Sequence, residues 1–423
     1  MPVSCSRRAS RTRHVRLCAF VFCAAAGLAN AQSLTLNQAV SRTLERNPEL
    51  AVLAIESEAQ SGVLQQAGAR PPIEAGLLAE NVAGSGAYSS VDSAETTLSI
   101  GFLLERGARD RRIEVARAGS DLLAADARIK RIDLAAETAQ RFVTVLEHQQ
   151  ALTDSTSATQ LAEQSLAAVH TRVVAAKVPK AEEARAQATL ARARLAQEHA
   201  EHELATARHR LAAMWGSTEP EFSNVQGDLF NTPSPQPFES FRAGLEQNPE
   251  IERLLSEKRV REAEARLAEL RARLPWHVSA GVRRFEATSD HAFVVGVTVP
   301  IASGDLARGA TAEARARSRL VDAKGAAMRV RLDAELFALY QEYRHAHTEV
   351  SILRNEVLPR IEEALEQSQY AYERGRYGYG EWVAAQRELL DVRRALVEAT
   401  AKLHQYRIEL ERLTGTAVRA AQP

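Results

Sequence analysis

The side chains of this sequence that could do chemistry are few. His199 and His202 stand three apart in an Ala/Glu/Arg-rich stretch, a spacing that puts both on one helix face and is compatible with metal ligation. His345 and His347 are two apart and would point away from each other. Solvated histidines on charged helices far outnumber ligands, so no metal site is expected. Cys5, Cys18 and Cys23 are all the cysteines. All three fall in a leader-like stretch, so no disulfide, thiol nucleophile or thiolate ligand is expected in the mature chain. No nucleophile elbow, phosphate-binding loop or zinc-protease motif occurs. An enzyme is not expected, and no cofactor. What remains is electrostatic. Glu182 with Glu183, and Glu381, follow directly behind two turn-like stretches, AAKVPK ending at Lys180 and GRYGYG ending at Gly380. On their own, such acids would favour the start of a helix.

The elements that carry these acids are long helices. Behind the second turn, Trp382, Ala385, Leu389, Val392, Leu396, Ala399, Leu403, Tyr406, Leu410 and Leu413 recur in steps of three and four, the seam of a coiled coil. The same text occurs earlier at a constant offset of 199 residues. Glu182, Ala186, Gln187, Leu190, Arg194, Leu204, Arg208, Leu211 and Gly216 match Glu381, Ala385, Gln386, Leu389, Arg393, Leu403, Arg407, Leu410 and Gly415. Upstream, Asn47-Pro48-Glu49 returns as Asn248-Pro249-Glu250. A near-constant offset over such lengths is the mark of an internal duplication. It divides the chain into repeats over 32–232 and 233–423.

Residues 1–31 read as a secretory signal: Arg7, Arg8, Arg11, Arg13 and Arg16, then a short apolar run, then Ala29-Asn30-Ala31. Removing those five arginines leaves 49 basic against 54 acidic residues, a balance that gives no reason to expect a nucleic-acid partner. No other stretch is apolar for about 18 residues, so a membrane role would need β-strands. Four stretches alternate apolar and polar: about 72–81, 95–105, 276–286 and 292–301. Ten-residue strands with one more apolar face suit a barrel in an outer membrane. Between them lie two expected helices of about 70 residues, Gly107 to Ala175 and Leu306 to Arg374, the second with Pro359 set to kink or break it. Half-length helices flank them, at Leu36–Ala69, Lys180–Met214, Glu239–Leu274 and Glu381–Leu413. The expected fold is mainly α with a small β part.

The segments LTLNQAVSRTLERNPEL, LLERGARDRRIEVARA, AAKVPKAEEARAQATLARARL, MWGSTEPEF and ERGRYGYGEWVAAQRELLDVRRALVEA together resemble the TolC family of outer-membrane efflux ducts, in its CzcC-like heavy-metal branch. Ala176-Lys177 stands where Gly-Lys is usual, and Ile301-Ala302-Ser303-Gly304-Asp305 replaces a Pro-Leu-Phe-Asp-type run. The resemblance implies a homotrimer that closes a 12-stranded barrel in outer-membrane lipid, above a helical tunnel in the periplasm. It also implies a periplasmic adaptor and an inner-membrane RND-type pump as partners, with heavy-metal cations or small toxic solutes as cargo. It makes the two turns, about 176–180 and 375–380, the periplasmic tips. Lys177, Val178, Pro179, Lys180, Gly375, Arg376, Gly378 and Gly380 would then meet the adaptor. Glu182, Glu183, Glu381 and Tyr377 become gate candidates, because carboxylates repeated about a narrow throat attract cations. The alternatives are a duct for secreted proteins and a periplasmic coiled-coil adaptor or structural protein.

Overall fold

The computed structural model of the chain describes residues 33–105, 107–271, 275–300 and 304–415. The leader over 1–31, the strand end at Ile301 and the helix end at Leu274 lie outside them.

The chain opens with a two-residue strand β1 (Leu34–Thr35) and then α1 (Leu36–Arg46). Thr35 and Gln38 close a reciprocal capping box at the start of α1. The expected continuous opening helix is in fact two, because α1 stops at Asn47 and α2 (Pro48–Ala67) restarts there. Pro48 occupies the first helical position of α2, where its missing N–H costs nothing. The Asn47 side chain accepts from the Glu49 N–H at 2.8 Å and donates to the Met214 carbonyl at 2.7 Å. It thereby starts α2 and ties it to the end of α4 (Lys180–Ala212). The second repeat does the same. After α5 (Phe238–Gly244), Asn248 caps α6 (Pro249–Arg271). It accepts from Glu250 N–H at 2.8 Å and donates to the Leu413 carbonyl at 2.7 Å. The closing glycine of the second repeat, Gly415, has φ +65, and a Cβ there would come within 2.8 Å of the Gln247 carbonyl. This joint requires glycine both for its backbone angle and for its closeness.

Four strands form one antiparallel sheet in the order β2 (Glu74–Glu80), β3 (Glu95–Leu104), β5 (Trp276–Phe285), β6 (Asp290–Thr298). The last strand ends short of the expected 301, since Pro300 has no N–H and restrains Val299 before it. Register sets the faces. Leu77, Leu98, Val282 and Phe293 lie in one row, and Ala75, Ile100, Ala280 and Val295 in the next. That face is exposed, up to 90% for Phe293. The opposite face carries Arg283, which donates to Glu80 at 2.7 Å, Glu95 at 2.8 Å and Thr97 at 2.9 Å.

Below the sheet, α3 (Ala108–Val174) is one unbroken helix of 67 residues, about 100 Å long at 1.5 Å per residue. Its counterpart is not continuous. α7 (Gly304–Ile352) passes into a π turn (Leu353–Val357) and then α8 (Leu358–Glu373). Pro359 is the reason one expects an interruption there: it cannot donate to the Asn355 carbonyl four residues back, and its ring would crowd that carbonyl in an α-helix. α9 (Tyr379–Leu413) closes the second repeat.

Residues 216–237 form a strap between the repeats, with a second two-residue strand β4 (Val225–Gln226) pairing parallel to β1. One buried cluster joins Leu36 and Ala39 of α1, Leu134, Ala139, Phe142 and Val145 of α3 and Leu211 of α4 to Val397, Ala401 and Ile408 of α9. A second packs Leu332, Leu336 and Tyr343 of α7 on Leu403 and Leu410 of α9. A third lies at the tips.

Candidate functional site at the helical tips

The two turns share one backbone path. The Ala176 N–H donates to the Val173 carbonyl and the Lys177 N–H to the Arg172 carbonyl, both at 2.9 Å. The same two bonds recur 199 residues on: the Gly375 N–H donates to the Tyr372 carbonyl and the Arg376 N–H to the Ala371 carbonyl, again both at 2.9 Å. This is the hydrogen-bonded helix stop that places its hinge residue in the left-handed region. Gly375 sits there at φ +73 and Ala176 at φ +53. The sequence departure at Ala176 therefore changes the side chain and keeps the turn, at the cost of a Cβ in a left-handed conformation.

The tips differ in what fills them. Tyr372 of α8 stacks on Trp382 of α9 with centroids 4.9 Å apart, and Tyr379 meets the Trp382 ring edge-on at 6.2 Å. These rings bury against Val169 of α3 and Ala186 of α4. Arg172, the last basic residue of α3, holds its guanidinium 4.6 Å from the Tyr372 ring centroid and donates to the Tyr372 carbonyl. Deeper in, Gln386 Nε2 donates to Ser165 Oγ at 2.8 Å, both side chains being buried. An aromatic clasp on the second coil thus grips the end of the first. Burial pushes the Tyr372 hydroxyl above the usual tyrosine range, with the nearby Glu182 charge adding to it.

The expected site residues fall into three environments. Lys177, Pro179, Lys180, Gly375, Arg376, Tyr377, Gly378 and Gly380 are exposed around the turns, and Val178 is half-buried. Glu182 and Glu381 are each the third residue of their helix, α4 and α9, where unpaired N–H groups favour an acid. Glu381 is exposed, whereas Glu182 is half-buried with Oε2 lacking a hydrogen-bond partner. Glu183 turns away from its neighbour and meets His170 Nδ1 at 2.7 Å. Arg172, Tyr372, Tyr379 and Gln386 were not singled out by sequence reasoning. The available signal was a run of four tyrosines and a tryptophan between Tyr370 and Trp382 in a chain only 5% aromatic. His199 and His202 are exposed on α4. His199 shares with Glu147, His148 and Glu203 the wall of a cavity of about 630 Å³ between α3, α4 and α9. No group of three or more potential ligands among the described residues could hold a metal ion.

The comparisons with known proteins agree with this geometry. A sequence model of the outer membrane efflux protein family matches residues 39–217 and 245–416. The cobalt-zinc-cadmium resistance protein CzcC of Cupriavidus metallidurans is 26% identical over 382 residues, covering 90% of each chain. Among solved structures, the outer-membrane channel OprN superposes with a TM-score of 0.74 at 19% identity, covering 90% of both chains. The outer membrane protein VceC of Vibrio cholerae does so at 0.71 and 16%, covering 91% of this chain and 97% of its own. The chain belongs to the outer membrane efflux protein family and is an outer-membrane efflux channel, its helical part reaching into the periplasm.

Proposed function

We propose that the protein is the passive exit duct of a tripartite efflux system and that its cargo is heavy-metal cations or small toxic solutes. The observation that carries the duct is the sheet. It has four strands, an exposed apolar face, and outer strands β2 and β6 that each pair on one side only among the described residues. Four strands cannot close on themselves, but three chains supply about twelve, enough for a barrel. Leu98, Ile100, Val295 and Val297 face lipid in this reading. The heavy-metal cargo rests on the likeness to CzcC. The two matched stretches, 39–217 and 245–416, support division into repeats over 32–232 and 233–423. The partners are a periplasmic adaptor, which meets the exposed turn residues, and an inner-membrane RND-type pump.

Within the trimer, Glu182 and Glu381 line the periplasmic throat, with Glu183 and Tyr377 beside them. Six carboxylates around the axis would favour cations. The test is planar-bilayer recording of the Glu182→Gln/Glu381→Gln protein. Cation selectivity should fall while an oligomer that resists SDS without boiling still forms. Unchanged selectivity would place both side chains outside the throat. Replacing Val297 by Arg near the bilayer centre should cost about 2–4 kcal/mol and deplete the outer-membrane trimer. A normal yield would sink the barrel.

A further inference from the structure

The two long helices differ by one residue. In their upper parts Leu134, Ala136, Glu137 and Phe142 correspond to Leu332, Ala334, Glu335 and Tyr340, an offset of 198. Leu134 and Phe142 are buried, as are Leu332 and Tyr340. Toward the tips the offset is 199. Glu163 takes Arg194 at 2.9 Å, Glu362 takes Arg393 at 3.1 Å, and the turns at Ala176 and Gly375 coincide. One extra residue therefore enters the second helix between Tyr340 and Glu362. The π turn Leu353–Val357 lies in that interval, and a π turn is what a single inserted residue makes of an α-helix. The corresponding part of α3 is ordinary α-helix.

The inserted turn is anchored from outside. None of its five residues is buried. Arg354 Nη1 donates to the Phe230 carbonyl of the strap at 3.0 Å. The strap itself is fixed at other points. Val225 exchanges two hydrogen bonds with the Gln149 side chain of α3, at 2.7 and 3.2 Å. The Leu229 carbonyl accepts from His404 Nε2 of α9 at 2.7 Å, and the Gln236 carbonyl accepts from Tyr340 Oη of α7 at 3.0 Å.

We propose that the π turn is a register joint. By migrating along the helix it turns the residues it passes by one residue's worth, about 100° in a helix of 3.6 residues per turn. The last turn of α7 or the first of α8 can then change the face it presents to α9 without unfolding, while the tip keeps its register. Arg354 on the fixed strap is the stop that holds the joint at its present place. α3, lacking the extra residue, has no such freedom. The first coil is a rigid post and the second a jointed one.

Amide hydrogen exchange on the full-length protein in lipid tests this. Residues 353–358 should exchange faster than residues 154–159 of α3. Arg354→Ala should speed that exchange further and spread it toward Pro359. Deleting Asn355 should bring protection up to that of α3 and leave the Trp382 fluorescence of the tip unchanged, because both flanking registers are kept. Equal protection in the two wild-type segments would overturn the joint. So would a deletion variant whose tip packing is lost, since the registers would then not be one residue apart. The inference draws its purpose from the channel reading. Bilayer currents separate the two: a wild-type protein that passes no current breaks the channel and leaves the exchange comparison standing, whereas fluctuations undiminished by the deletion break the joint.

Discussion

The two tips are the same backbone with different contents. At the first, Val173, Lys180 and Glu183 occupy the places that Tyr372, Tyr379 and Trp382 hold at the second. Glu183 makes an exposed pair with His170, while Trp382 is buried in a three-ring cluster. An exposed polar pair of this kind is worth about 0–1 kcal/mol, and a buried aromatic several times that. Duplication supplied two equal turns, and later divergence made one the clasp and the other the surface it grips. The polarity of the tip is therefore a property of side chains, laid over a symmetric frame.

The largest expected effect breaks that asymmetry. Trp382→Ala should cost about 3–5 kcal/mol of tip packing, while the equivalent Glu183→Ala should cost about 0–1 kcal/mol. Limited proteolysis and exchange at residues 165–190 and 370–390 would show the difference, and equal effects would deny that the clasp is one-sided. Next come positions at which the repeats remain alike. Asn47→Ala and Asn248→Ala each remove a cap and leave a buried carbonyl without its donor, so each should lower stability by about 1–2 kcal/mol. A clear inequality in thermal melting would mean the two joints are not equivalent. A smaller effect probes the turns. Ala176→Gly relieves a left-handed alanine and should stabilise by about 1 kcal/mol, while Gly375→Ala should destabilise by a similar amount.

The smallest effect is a pH slope. Burial depresses the pKa of His404, against the Leu229 carbonyl bond that raises it. The folded protein then binds fewer protons at this site than the unfolded chain does. The stability the neutral ring contributes is full above the unfolded value near 6.5 and is lost as pH falls below it. The first repeat has Ala205 at the equivalent position, so no matching slope arises there. His404→Gln keeps a donor for Leu229 and should flatten melting temperature against pH between about 6.5 and 5 relative to wild type. An unaltered slope would assign it to other groups.

Much of the frame was legible in the sequence because it is periodic. The strands show as alternation at Ile73–Ala79 and Phe293–Val299, the coils as a seam from Trp382 to Leu413, and the repeat as a fixed offset. Breaks in helices were less legible. Asn47-Pro48 was visible as a repeated motif, yet the helix stops there because Asn47 finds the Met214 carbonyl, 167 residues away. The π turn was hidden in a slip from 198 to 199 that only matters once the helices lie side by side. The clasp was least legible of all. Arg172 and Tyr372 are 200 residues apart and do not occupy equivalent positions, so neither local pattern nor the repeat could pair them.

The core of the first repeat contains Val397, Ala401 and Ile408, which the ribosome makes more than 300 residues after the opening helices. Arg412 closes on Asp133 at 3.1 Å from near the end of α9. Most of the chain must therefore be synthesised and delivered before its opening helices can bury their apolar stripe. Such long-range closure is slow and leaves apolar surface open to wrong partners meanwhile. The two repeats are separable as text and inseparable as folding units. A gene cut within the strap should give two halves that aggregate when made alone and recover one another only when made together.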